Sequence, residues 1–329
     1  MKVTAKAHSN IALIKYWGKK SDSVLNIPAV GSISITLNKL FTVSSVEFRK
    51  ELAEDQLVLN GLTANTLELK RVSNFINLIR SAAQIENRAQ IISDNNFPTG
   101  AGLASSASAF ASLALAASQA AGLNLTDTQL TELARKGSGS AARSIYGGFV
   151  EMQTGVKSDG TDAIALPMQE QDYWDIWVVI AITSEAKKKI GSTSGMNHTA
   201  NTSPFYSEWV KSSSTDLEEM RKAIRQKNFT QLGELSEFSC LKMHSVAMSA
   251  NPGLIYWNKT TLECIHAIRE LRERKLPVYF TIDAGPQVKA LCLKNDVETV
   301  ASELEKIEGV QRTISTGLGP GVSTIEVSN

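Results

Sequence analysis

The stretch that decides the fold is Pro98-Thr-Gly-Ala-Gly-Leu-Ala-Ser-Ser-Ala107, which runs into the Ala-rich segment ending at Ala121. Pro98, Gly100 and Gly102 break regular structure, and the alanines that follow are strong helix formers, so a helix is predicted from about Ser105 with Gly122 as its stop. Glycines let a backbone approach a polyphosphate and turn its N–H groups inward. The helix aims its N-terminal N–H groups and positive dipole end at the same place, and the serine hydroxyls can donate to phosphate oxygens or ligate Mg²⁺. No Lys follows the last glycine, so this is not a Walker A loop. Ser105 stands where a dinucleotide fingerprint would need glycine. Read by itself, the stretch also fits a Gly/Ser turn capping a packing helix.

Strands and helices alternate outward from this loop. Ser32 to Leu37 and Phe41 to Phe48 alternate with period two, and the first 60 or so residues read as strands. Helices are predicted over Leu67–Ile85 and Asp127–Lys136, the latter capped by Thr126 or Asp127, with a strand ending at Ile91-Ile92 between them. Gly137-Ser-Gly-Ser140 interrupts, and a short helix is expected to follow. Trp174 to Thr183 reads as a buried strand, and the domain boundary is placed there, giving units 1–180 and 181–329. Beyond it, helices are predicted around Thr215–Gln226, Lys259–Arg274 and Asp296–Ile307, with strands at Val278–Ile282 and Ser323–Val327. The hairpin-like opening argues for an α+β fold over a doubly wound parallel sheet.

Composition narrows the function. The 329 residues are 43% apolar and 20% charged, an ordinary globular balance. Net charge is +1, from 34 basic and 33 acidic residues, which gives no electrostatic case for nucleic acid or an anionic membrane. The three cysteines, Cys240, Cys264 and Cys292, form no CxxC pair and fit a reducing compartment. No apolar run reaches the ~18 residues of a membrane span. A cytoplasmic protein is expected.

The loop resembles that of the GHMP kinase superfamily, through Pro98, Gly102, Leu103, Ser105, Ser106 and Ala107. Further blocks resemble the mevalonate diphosphate decarboxylase family. They are Asn10-Ile-Ala-Leu-Ile-Lys-Tyr-Trp-Gly-Lys19, Asn95-Asn-Phe-Pro-Thr99, Gly137-Ser-Gly-Ser-Ala-Ala-Arg143, Ser192-Thr-Ser-Gly-Met196, Met243-His244, Asp283-Ala-Gly-Pro286 and Gly317-Leu-Gly-Pro-Gly321. They occur in family order and span most of the chain.

The resemblance implies a ribosomal-protein-S5-like N-terminal domain and a ferredoxin-like C-terminal domain, with the active site in the cleft between them. It implies ATP and Mg²⁺, a homodimer, and a two-stage reaction. The tertiary 3-hydroxyl of mevalonate 5-diphosphate is phosphorylated, then phosphate and CO2 leave to give isopentenyl diphosphate. A hindered tertiary alcohol needs positioning and a proton acceptor, which Asp283 can supply. Lys15 can meet charge on the transferring phosphate, and Arg143 can clamp the carboxylate with its planar fork. Tyr16, Lys19, Ser138, Ser140, Ser192, Asn10 and Met196 lie in blocks that imply substrate contacts. Pro98, Gly100, Gly102, Leu103, Ser105 and Ser106 imply ATP contacts, with Ser106 as the Mg²⁺ ligand. Lys187 to Lys189 add positive charge beside Ser192, or form a solvated loop.

Without the family, Asp283 fits a turn cap, Lys15 a snorkelling strand-edge cation, Arg143 a surface ion pair, and His244 a buried, hydrogen-bonded histidine. Three departures stand out. The family's Asn-Ser pair, near the nucleotide in relatives, is Val30-Gly31 here. The usual A-P-x-N turn is Ala7-His8-Ser9-Asn10, and Thr193 stands where bacterial members often carry arginine. Mevalonate 5-phosphate as substrate, a kinase that releases no CO2, and a non-catalytic nucleotide-binding protein are the competing readings.

Overall fold

The computed structural model describes residues 1–20, 25–97, 102–186 and 188–326. Its elements run β1 (Lys2–Ile14), β2 (Ser32–Arg49), β3 (Gln56–Leu59), β4 (Leu62–Thr63), α1 (Thr66–Ala83), β5 (Arg88–Asn95), α2 (Ser105–Ala120), α3 (Asp127–Gly137), β6 (Phe149–Met152), β7 (Ala165–Gln169) and β8 (Ile176–Ile182). They continue with α4 (Ser192–Thr202), α5 (Tyr206–Arg225), α6 (Phe229–Met248), α7 (Lys259–Glu273), β9 (Tyr279–Thr281), β10 (Val288–Leu293), α8 (Val297–Glu305), β11 (Arg312–Gly317) and β12 (Ser323–Thr324).

The two runs expected as separate strands, at 32–37 and 41–48, are one long strand. Opposite β1, His8 pairs with Phe41 while Asn10 pairs with Thr36, so the residues between them bulge out and divide the alternation in two. The first sheet runs β12-β1-β2-β5-β3-β4, with β6 on β2 and β7 on β6; β3 and β5 are parallel. Helix α2 lies on this sheet, so its alanines are buried nearly all round. Beneath α2, Ser108 meets Thr42 and Ser112 meets Ser44, each at 2.7 Å, which satisfies the hydroxyls an apolar interface would otherwise strand.

The second sheet has the order β11-β8-β10-β9, all antiparallel. Numbered by their place in the chain, its strands lie 4-1-3-2, the ferredoxin-like arrangement. The expected boundary at 180 falls inside β8, all of which belongs to this sheet, and β12 returns to pair with β1. Ile11, Ile33 and Ile35 of the first sheet share one core with Val178 and Ile180 of the second and with Met220 and Leu232 of α5 and α6. The site lies along this seam.

Helix α5 begins nine residues before the expected Thr215. Its serine-rich start reads as loop, yet Ser212 and Ser213 donate to the carbonyls of Glu208 and Trp209 four residues back, which a helix tolerates. Helix α6 has no legible period because its buried face carries Ser236, Glu237, Ser239 and His244 among the apolar residues. Helix α7 starts where expected, on a capping box at Asn258.

Candidate active site

Strand β1 ends by delivering Lys15 into the seam, and β9 runs into the turn that carries Asp283. Lys15 is 2% exposed, and its Nζ donates to Asp283 Oδ1 at 2.9 Å and to the Ala12 carbonyl at 2.8 Å. It is therefore a buried cation paired with a partly exposed carboxylate rather than a snorkelling surface cation. A second buried lysine, Lys289 on β10, places its Nζ 3.6 Å from Asp283 Oδ2. Burial by itself would raise the Asp283 carboxyl. Lys15, Lys289 and Arg143 outweigh it and hold that carboxyl well below the usual range.

Arg143 sits in the 3-10 turn Ala141–Ser144 and is buried with no carboxylate in contact among the described residues. Its Nη1 donates to Ser32 Oγ at 2.8 Å and its Nη2 to Asn10 Oδ1 at 3.3 Å, while Nε has no partner. Burial brings it down to about 10. Asn10 is fixed in turn by donating to Ser144 Oγ at 2.7 Å. A buried guanidinium held by neutral groups has charge left over for an anion.

Lys15, Asp283, Arg143 and Asn10 wall a cavity of ≈ 470 Å³, with Lys289 behind Asp283 and off the wall. On it also lie Tyr16, Lys19, Ser138, Ser140, Ser192 and Met196 from the substrate blocks, and Gly102, Ser105 and Ser106 from the loop. The hydroxyls of Ser106, Ser138 and Ser140 form a chain at 3.2 and 3.3 Å. Lys188 donates to Ser192 Oγ at 3.3 Å. Leu103 is not on the wall, since its side chain turns into the core. Pro98, Gly100 and Lys187 lie outside the described residues. Among those described, no group of three His, Cys, Asp or Glu could hold a metal.

The first half of the chain, residues 7–165, matches the model of the diphosphomevalonate decarboxylase-like N-terminal domain. Residues 178–320 match that of the mevalonate 5-diphosphate decarboxylase C-terminal domain. The diphosphomevalonate decarboxylase of Candida albicans is 33% identical over 95% of this chain and 94% of its own length. The chain belongs to the diphosphomevalonate decarboxylase family. Among solved structures, mevalonate diphosphate decarboxylase from Staphylococcus aureus superposes with a TM-score of 0.93 at 41% identity, over 99% of this chain and 98% of that one. The structure of MDDEF in complex with MVAPP, AMPPCP and magnesium superposes equally well, at 38% identity over 99% of both chains. These likenesses establish the GHMP kinase fold.

Within that family frame, the Val30-Gly31 departure is a packing change. Val30 is buried with Trp17, Met196, Trp209 and Met243. A Cβ on Gly31 would stand 2.7 Å from Leu217 Cδ1 and 3.2 Å from the Met152 carbonyl, so a side chain there displaces Leu217 from its packing. Neither residue lines the cavity. Thr193 does line it, in the first turn of α4.

His244 is buried; its Nε2 lies 2.9 Å from the Asp283 carbonyl and 3.2 Å from the Trp257 indole nitrogen, and burial pushes it down to about 3. It stays neutral and braces the backbone of Asp283. Sequence reasoning misses Lys289, whose only signal is a lysine in the otherwise apolar strand VKALCL. It also misses Glu68 and Arg71 of α1, which line the cavity although they look like ordinary helix-surface charges.

Proposed function

We propose that this chain catalyses the ATP-dependent decarboxylation of mevalonate 5-diphosphate to isopentenyl diphosphate. The observation that carries the reading is the charge imbalance of the cavity. Lys15, Arg143 and Lys188 line it, Lys289 stands behind Asp283, and Asp283 is their shared anion. A buried surplus of positive charge is stabilised by anionic ligands, and the substrate pair brings a carboxylate and two polyphosphates.

The roles follow from position. Asp283 Oδ2, with no hydrogen-bond partner, accepts the proton of the 3-hydroxyl as its oxygen attacks the γ-phosphorus and ADP departs. Lys15 meets the charge on the transferring group. The free edge of Arg143 takes the substrate carboxylate and orients the C–C bond that breaks. When the C3–O bond then cleaves, phosphate leaves with its electron pair, and the electrons of the carboxylate C–C bond form the double bond as CO2 departs. Mg²⁺, held by Ser106 Oγ, would offset the charge of the phosphates. Mg²⁺ keeps several waters and takes few protein ligands, so Ser106 Oγ beside the loop, without an acidic cluster, fits that use.

The Lys188–Ser192 pair favours the diphosphate over the 5-phosphate, because it supplies charge beside Thr193 where the arginine is missing. A two-unit chain, divided just before β8, a cytoplasmic location and a homodimer complete the reading; light scattering on the purified chain tests the last.

The deciding experiment is CO2 release from carboxyl-labelled mevalonate 5-diphosphate with ATP and Mg²⁺, with the 5-phosphate and mevalonate alongside. CO2 matched by ADP from the diphosphate is the expected result. ADP without CO2 would make this a 3-kinase and remove the role given to Arg143.

A further inference from the structure

The ATP loop has an unusual backbone. Gly102 has φ +82° and Ala104 φ +55°, so two left-handed residues stand within three positions, one of them carrying a side chain. A side chain in that region costs about 1–2 kcal/mol, and such a conformation persists only where its surroundings hold it. Three carbonyls in succession are held. The Gly102 carbonyl accepts from Lys289 Nζ at 2.9 Å. The Leu103 carbonyl accepts from Ser9 Oγ at 2.7 Å. The Ala104 carbonyl accepts from the Ala107 N–H at 2.8 Å, where α2 begins. Both outside donors are buried, Lys289 at 1% and Ser9 at 0% exposure, and they come from different sheets.

In a trans peptide the C=O and N–H point in opposite directions. The geometry points to Lys289 and Ser9 as positioning residues of the ATP loop. By holding the carbonyls of Gly102 and Leu103, they fix the backbone of Gly102 and Ala104, the two residues of this stretch that line the cavity, so that the Ala104 N–H receives an ATP phosphate. Turns in which successive N–H groups face the same way form anion-binding concavities, and Gly102 and Ala104 are the positive-φ residues of this turn. Lys289 adds a second constraint, because it also faces Asp283 Oδ2 and so fixes the distance between the loop and the proton acceptor. The loop presses on the turn after Asp283 at the same point, where a Cβ on Gly102 would stand 2.2 Å from the Gly285 carbonyl. Lys289 and Ser9 do not line the cavity, so they act through the loop.

This inference rests on the ATP reading above, and the test separates the two. AMPPCP with Mg²⁺ is titrated calorimetrically into wild type, Lys289→Met and Ser9→Ala, each saturated with mevalonate 5-diphosphate. Binding of mevalonate 5-diphosphate by itself is measured on the same proteins. The AMPPCP Kd is expected to rise about tenfold in Lys289→Met and about threefold in Ser9→Ala, while the mevalonate 5-diphosphate Kd of Ser9→Ala stays within about twofold. General damage to the fold would not produce that split. Should Lys289→Met fail to fold, Ser9→Ala, which removes one hydroxyl, is the deciding variant. Unchanged AMPPCP affinity in the folded variants overturns the assignment and leaves the ATP reading intact. Wild type that takes up no AMPPCP overturns both.

Discussion

Two walls of the same cavity are built on different principles. At the carboxylate corner, Lys15 and Lys289 are 2% and 1% exposed and already paired with Asp283, with the buried Arg143 close by. At the hydroxyl wall, Ser106, Ser138, Ser140 and Ser192 are partly exposed and touch one another or Lys188 through long hydrogen bonds. The corner is preorganised, and its charges are fixed before substrate arrives, which is what stabilises developing charge in a transition state. Serine hydroxyls rotate to suit a partner and lose little when it leaves. The chemistry is assigned to the rigid corner and the grip on phosphate oxygens to the adaptable wall.

Substitutions test that division, beginning with the largest expected effect. Asp283→Ala should lower kcat by about 10³-fold with AMPPCP binding retained, since it removes a proton acceptor without touching the loop. A wild-type rate would break the assignment. Arg143→Ala should lower kcat/KM for mevalonate 5-diphosphate by about 30-fold or more, the usual loss when one partner of a buried charge pair is truncated. An unchanged kcat/KM would mean that the carboxylate is gripped elsewhere.

The corner also predicts a pH response. Asp283 is depressed, so its contribution to stability is complete above its unfolded value and disappears only as pH falls through the lower folded one. His244, at about 3, stays neutral. Neither group titrates between about pH 5 and 7, and kcat should be flat with respect to both. Lys289 is the exception. Burial brings it from the ordinary 10.5 to about 8, against the pull of Asp283 and with the push of Lys15 and Lys188. A lysine lowered on folding costs stability while protonated, and that cost disappears as pH rises from about 8 toward 10.5. The KM for ATP should therefore rise above about pH 8 with no matching fall in Tm from this group, and Lys289→Met should abolish the inflection. At the hydroxyl wall, Ser138→Ala should cost about 0.5–1.5 kcal/mol, a few-fold in KM. A loss as large as that of Arg143→Ala would erase the distinction between the walls.

How far the site is legible in the sequence depends on whether a residue's signal is local. The loop and α2 can be read because glycine, serine and alanine carry their backbone preferences with them. Thr126 and the Lys259 helix start can be read from caps. Asp283, Lys15 and Arg143 are found only through motif blocks, since each has an ordinary structural reading of its own. Helix α6 is hidden because its buried face is partly polar to serve the site: Ser239 accepts from the Lys15 N–H, and His244 braces Asp283. The single strand β2 reads as two because a bulge interrupts its alternation.

By itself, the sequence determined the α+β class, the glycine-rich loop opening a helix, the family, and most of the residues that reach the cavity. All of these rest on backbone preference or on motif, which travel with the chain. Only the tertiary structure decided which charges meet. Lys15, Arg143, Asp283 and Lys289 are separated by up to 274 residues along the chain, the span from position 15 to position 289. The packing of the two sheets sets Lys15 2.9 Å and Lys289 3.6 Å from Asp283 and brings Arg143 near enough to act on its charge, and Coulomb energy depends on that distance rather than on sequence separation.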